Sequence, residues 1–129
     1  MKGPDAPSPS PRDRKFRQAA IVYLHVGILY EAGVAALWRA GMVPERGPIG
    51  LWLLLGALIV AGVSWALWRY RSPWLPRVVW GLHALRLPAI MSGAFGLNPA
   101  SDVPPGLWHL ALVVVLINLG FLARAGWDL

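Results

Sequence analysis

Few side chains in this sequence could do chemistry, and Glu31 is the first of them. It lies in the stretch HVGILYEAG, residues 25–33, inside an otherwise apolar run. Arg86, in GLHALRLPAI, is the matching anomaly in a second apolar run. An ionisable group at such a position is expensive and faces a partner or a polar cavity. Two kinds of chemistry follow. Glu31 and Arg86 could form a buried ion pair that specifies packing. Alternatively, Glu31 could titrate as a proton or ligand site, with Arg86 tuning it. Tyr30, beside Glu31, and His109 are the groups that could extend such a pair.

His83 lies three residues before Arg86, so the two share one side of a helix. Pro88 follows; it leaves the carbonyl of Ala84 without a donor and predicts a kink there. Freed backbone at membrane depth is tolerated against protein or a wet cavity. His83, Arg86 and the Pro88 kink therefore form the best candidate cavity wall, although His83 could instead satisfy a backbone carbonyl or Asn118. His25 and His83 are expected at similar depth on different helices, and two such imidazoles could clamp a haem iron. No attachment pattern accompanies them. His109 adjoins Trp108 and reads as interfacial. The three histidines have no metal-ligand spacing, and no cysteine is present. No metal or other cofactor is expected. The sequence also lacks a nucleotide loop, a nucleophile elbow, HExxH and paired carboxylates, so enzyme activity is not expected.

The elements that must position these groups are long apolar runs. Of the residues, 57% are hydrophobic and only 14% are charged, with a mean hydropathy of +0.52, whereas soluble domains carry about 25% charged residues. Four segments stand out, at about 18–38, 49–68, 74–97 and 107–124. Each is long enough to cross ~30 Å of hydrocarbon at 1.5 Å per residue. The breakers GMVPERGP, RYRSP and NPASDVPPG separate them. Short loops make sequence neighbours antiparallel neighbours in space. The expectation is an all-α, four-helix transmembrane bundle with up-down connectivity over residues 18–129. Residues 1–17, rich in Pro, Ser and charge, are expected to be a flexible cytoplasmic tail. The first run is too long for a signal-peptide core, and Glu31 would sit where that core should be purest.

Lysine and arginine orient the threading. With the amino terminus inside, the inner side holds Lys2, Arg12, Arg14, Lys15, Arg17, Arg69, Arg71, Arg77 and Arg124. The outer side holds Arg39 and Arg46, and Arg86 lies within a segment. This positive-inside bias predicts both termini in the cytoplasm and a multi-pass protein of the cytoplasmic membrane. It also accounts for the net charge of +6 without nucleic acid as a partner. Tryptophan agrees. Trp38, Trp52 and Trp108 fall near the outer boundary, and Trp68, Trp74 and Trp127 near the inner one. Glu31 then stands ~21 Å and Arg86 ~20 Å above the inner surface, so the two are level. The second segment has the small-xxx-small pairs Ala57/Ala61 and Gly62/Ala66, which suit packing in the bundle or against another subunit.

Residues 22–39, VYLHVGILYEAGVAALWR, resemble the first helix of the small multidrug resistance transporters at Tyr23, Leu24, Ile28, Leu29 and Glu31. The resemblance implies proton-coupled antiport with Glu31 as a shared proton and substrate site. It covers about one helix. The Gly-rich, Trp-bearing third helix of that family is not matched by VVWGLHALRLPAIMSGAFG, and Arg86 would compete with a cationic substrate. The leading expectation is therefore a small membrane protein, in contact with lipid, that acts as a homo-oligomer or as an accessory subunit of a membrane complex. A small proton-coupled transporter using Glu31 is the alternative, and a haem-binding electron carrier a distant third.

Overall fold

The computed structural model describes residues 7–43, 47–98 and 102–129. Lys2 and Arg46, used above for orientation, lie outside the described residues. The described residues form four α-helices: α1 Pro11–Arg39, α2 Ile49–Arg69, α3 Trp74–Ala94 and α4 Pro105–Trp127.

α1 begins well before Gln18, which corrects the expected flexible tail over residues 11–17. Its local chemistry explains why. The Ser10 side chain caps the helix by accepting a hydrogen bond from the Asp13 amide at 3.1 Å. Pro11 occupies the first turn, where its missing N–H costs nothing. Tertiary ties hold the extension. Arg71 donates to Asp13 Oδ1 at 2.8 Å, Lys15 pairs with Asp128 at 2.7 Å, and Arg12 donates to the Arg71 carbonyl at 2.7 Å. The Lys15 ammonium holds the Asp128 carboxyl below its ordinary range through that bond. Phe16 is 0% exposed at the centre of this region.

Two helices stop where glycine takes a left-handed conformation. After α1, Gly41 has φ 71°, Gly41 N–H donates to Trp38 O and Met42 N–H to Leu37 O. After α3, Gly96 has φ 68°, Gly96 N–H donates to Gly93 O and Leu97 N–H to Ser92 O. Both are Schellman endings. The second corrects the expected end of α3 from residue 97 to Ala94.

α1, α2 and α4 are long and apolar enough to cross a membrane. α3 has the same 21-residue length as α2 but does not qualify. It carries Arg77, His83 and Arg86 together with Pro76 and Pro88. Three of the four expected spanning segments thus meet both the length and the hydropathy that crossing requires. Large apolar side chains remain on the outside, among them Leu51, Leu54, Leu58 and Ile59 of α2. Only 6% of the apolar window of α2 is buried by the rest of the protein, which is the pattern of a membrane-embedded helix facing lipid.

α1 packs on α2 and on α4, and α3 packs on α4. α2 and α3 barely touch, and the backbones of α1 and α3 stay apart, bridged by long side chains such as Tyr23 and His83. The amino end of α1 lies beside the segment that follows α2 and beside the end of α4, as the Arg71–Asp13 and Lys15–Asp128 bonds require. At the opposite end of α3, His109 Nε2–H donates to the Ala94 carbonyl at 2.8 Å. Arg77 donates to the Gly126 carbonyl at 2.8 Å. The core falls into two parts. One gathers Phe16, Ala19, Ala20, Tyr23, Leu67, Val79, Leu122 and Ala125 from all four helices. The other joins Ile90, Ala111 and Val115, with Tyr30, Leu87 and Trp108 against them. A Cβ at Gly27 would sit 2.6 Å from Val60, so glycine there lets α1 and α2 approach closely.

Because Phe16 joins the ends of the helices, Phe16→Ala should remove about 3–5 kcal/mol, the usual cost of truncating a buried aromatic. Thermal unfolding in detergent should show a large drop in melting temperature. An unchanged melt would mean that residues 11–17 do not belong to the folded domain.

Candidate functional site

The two halves of the core bound a cavity of about 230 Å³ lined by all four helices. Helical periodicity aims one stripe of each helix at it. α1 presents Tyr23, Gly27, Tyr30 and Glu31, at i, i+4, i+7 and i+8. α3 presents His83, Arg86 and Ile90, and α4 presents Ala111, Val114, Val115 and Asn118. α2 adds only Gly56, Ile59 and Val60. The polar groups thus come from α1, α3 and α4, and α2 is an apolar wall.

Glu31 and Arg86 face the same cavity but do not pair. No nitrogen of Arg86 lies within 4.0 Å of the Glu31 carboxylate, and the ion pairs among the described residues are Lys15–Asp128 and Arg71–Asp13. The expected direct Glu31–Arg86 ion pair is corrected accordingly. The physical reason lies in the packing. α1 and α3 sit diagonally across the bundle and meet through long side chains such as Tyr23 and His83, so the two charges are separated by the cavity. Arg86 is exposed although it lines the cavity. The wall beside it is thin because α2 and α3 barely touch.

The Glu31 carboxylate rests against the backbone of α2. A Cβ at Gly56 would overlap Glu31 Oε1. Its other oxygen, Oε2, is buried and has no hydrogen-bond partner. His83 Nε2 lies 2.9 Å from the Tyr23 hydroxyl, with the rings 5.5 Å apart, while His83 Nδ1 is buried without a partner. Asn118 is only 3% exposed, and its Oδ1 is likewise unpartnered. Leaving a buried polar atom unsatisfied costs about 1–3 kcal/mol. Three such atoms around one polar cavity are arranged as in sites where water or a ligand completes the bonding.

The remaining sequence candidates separate cleanly. Tyr30 lines the cavity. His83 reaches Tyr23 rather than Asn118 or a carbonyl. His25 is exposed and donates from Nδ1–H to its own helix, to Ile21 O at 2.7 Å. Two residues past Tyr23, it is rotated ~200° around α1, away from the cavity. His25 and His83 therefore do not converge, which removes the bis-histidine haem arrangement. His109 serves as a cap on α3. Among the described residues, no group of three potential metal ligands converges. Sequence reasoning underrated Tyr23 and Asn118. The i, i+8 spacing of Tyr23 and Glu31 was the available signal for the first. Asn118 had only its polarity within an apolar run.

No family model, curated protein or solved structure matches the chain. The likeness of residues 22–39 to one helix of the small multidrug resistance transporters thus remains confined to that helix.

Separation of the two charges has a measurable consequence. In ligand-free protein, Glu31→Gln and Arg86→Met should change stability almost additively, with a coupling below ~0.5 kcal/mol, as for groups without direct contact. A double-mutant cycle by denaturation in detergent measures this. Strong recovery in the double variant would restore the direct ion pair.

Proposed function

We propose that this is a four-helix, multi-pass protein of the cytoplasmic membrane that binds a small polar ligand within its bundle, with Glu31 as the proton- and ligand-responsive group. In this reading α3 spans the membrane with the other three helices. His83 and Arg86 of that helix line the cavity, where such groups are tolerated. Neighbouring helices run antiparallel, and both termini lie in the cytoplasm. The supporting observation is the Glu31 carboxylate, which faces the cavity with one buried oxygen unpartnered and no cation against it. A carboxylate kept only for packing would be paired. Exchange of a proton or ligand at this position would make the protein a small proton-coupled transporter.

Wild-type protein purified in mild detergent should carry a small molecule visible by native mass spectrometry. Glu31→Gln should fold and lose it. A wild-type protein that never carries one, and whose stability does not respond to small solutes, would end the ligand-binding reading. A second reading, as a homo-oligomer or accessory subunit, draws support from α2. Ala57, Ala61 and Gly62 are all exposed there, and a Cβ at Gly62 would meet nothing. The same spectra would record a second copy or a stoichiometric partner chain. Orientation is tested separately. A reporter fused after Leu129 should read cytoplasm, as the basic residues at the α1 start, the α2–α3 connection and the α4 end require. A signal from the opposite side would invert the threading.

A further inference from the structure

The polar groups of the cavity are not a random assortment, and together they restrict what can bind. On one side stands Arg86, a permanent cation with five N–H donors and no ion-pair partner among the described residues. Across from it, on α1, stands Glu31 with an unpartnered acceptor oxygen. Asn118 Oδ1, from α4, is a second unpartnered acceptor and is almost fully buried. Ile59, Val60, Ile90, Val114 and Val115 make up much of the remaining wall and offer no charge or side-chain hydrogen bond. A simple cation would satisfy Glu31 but face Arg86. A simple anion would satisfy Arg86 but face the carboxylate. A neutral solute would leave two opposite charges uncompensated where the surroundings screen them poorly. One class of compact molecule answers both ends: an anionic group joined to an ammonium that still carries N–H donors.

We propose that the cavity binds a compact zwitterion, its anionic group on Arg86 and its ammonium on Glu31. The assignment rests on the intramembrane binding site proposed above. Arg86 holds the anionic end through charge-assisted hydrogen bonds. Glu31 accepts from the ammonium, which supplies the bond its buried oxygen lacks. Gly56 sets the reach. Its missing side chain lets the carboxylate lie back against α2. The volume of about 230 Å³ equals the liquid share of roughly 8 waters, the scale of a small amino acid or of a lipid headgroup. Both sources share this chemistry. A thin wall between α2 and α3 beside Arg86 is compatible with entry from the bilayer as well as from water.

The full-length protein is reconstituted in phosphatidylglycerol nanodiscs, and its melting temperature is followed with glycine, β-alanine and 4-aminobutyrate. These solutes scan the spacing between the two charges. Propionate and propylammonium carry one charge each. At least one zwitterion should stabilise the protein saturably, with both single-charge solutes weaker by about tenfold or more. Nanodiscs of phosphatidylethanolamine form the second arm. Stabilisation there that competes with the free zwitterions, or that occurs without their binding, supports the same chemistry and names the headgroup as its source. Glu31→Gln should abolish the preference for the zwitterion over propionate, and Arg86→Gln the preference over propylammonium. Gly56→Ala retains both charges but displaces the carboxylate, and should weaken the zwitterion while sparing propionate, which tests the geometry even if a charge variant fails to fold. Propionate or propylammonium binding as tightly as every zwitterion overturns the proposal and leaves the ligand-binding reading standing. No saturable response to any probe or lipid overturns it as well. A co-purifying molecule of other chemistry would then preserve the binding site, and its absence would remove both.

Discussion

Two opposite charges face one cavity of an apolar bundle and are held apart, and most of what is specific to this protein depends on that separation. Glu31 belongs to α1 and Arg86 to α3, and these helices occupy a diagonal. Closing the gap would require α1 and α3 to pack against each other through the space that the cavity now fills. That would bury the charges as a pair and remove the site. The opposite arrangement, with both charges turned outward, would place them in lipid at a cost of several kcal/mol. The cavity is the middle solution. It lets both groups line one polar space, with Arg86 still open to the outside.

Holding this arrangement falls to the ends of the helices rather than to the middle. Around the start of α1, Phe16 is enclosed by residues of all four helices. The guanidinium carbons of Arg12 and Arg71 stand 5.8 and 6.0 Å from the centre of its ring. Arg71 also donates to the Leu67 and Trp68 carbonyls, so one side chain ties the end of α2 to the start of α1. On the other side, Arg77 lies between the Trp74 and Trp127 rings and donates to Gly126 O. At the far end, the Trp108 ring covers Gly93 and His109 caps α3. A bundle fastened at both ends can carry a polar, incompletely bonded centre without collapsing onto it.

Glycine has two separate uses here. At Gly41 and Gly96 the backbone is left-handed, and glycine ends a helix. At Gly27 and Gly56 the backbone is helical, and the absence of a side chain is what counts. Gly27 brings α1 against Val60, and one helical turn away Gly56 of α2 leaves room for the Glu31 carboxylate. The same close approach of α1 and α2 therefore packs one level and creates space at the next.

The sequence by itself determined the apolar runs, the order of the helices, the asymmetry of basic residues and the small set of polar side chains within the runs. These depend on composition and on distance along the chain, which a linear reading measures directly. It determined the side-sharing of His83 and Arg86 for the same reason, since three residues are nearly one turn. Tertiary structure alone decided that Glu31 and Arg86 face one cavity without touching, because their contact depends on which helices are diagonal. No property of either residue encodes that. Packing also turned His25 outward and drew Tyr23 to His83. It extended α1 back to Pro11, where the ties from Arg71 and Asp128 outweigh the disorder that Pro, Ser and charge would otherwise favour. Asn118 became important in the same way: its polarity was legible, but only the fourth helix closing against the other three turned it into a buried acceptor facing an opposed pair of charges.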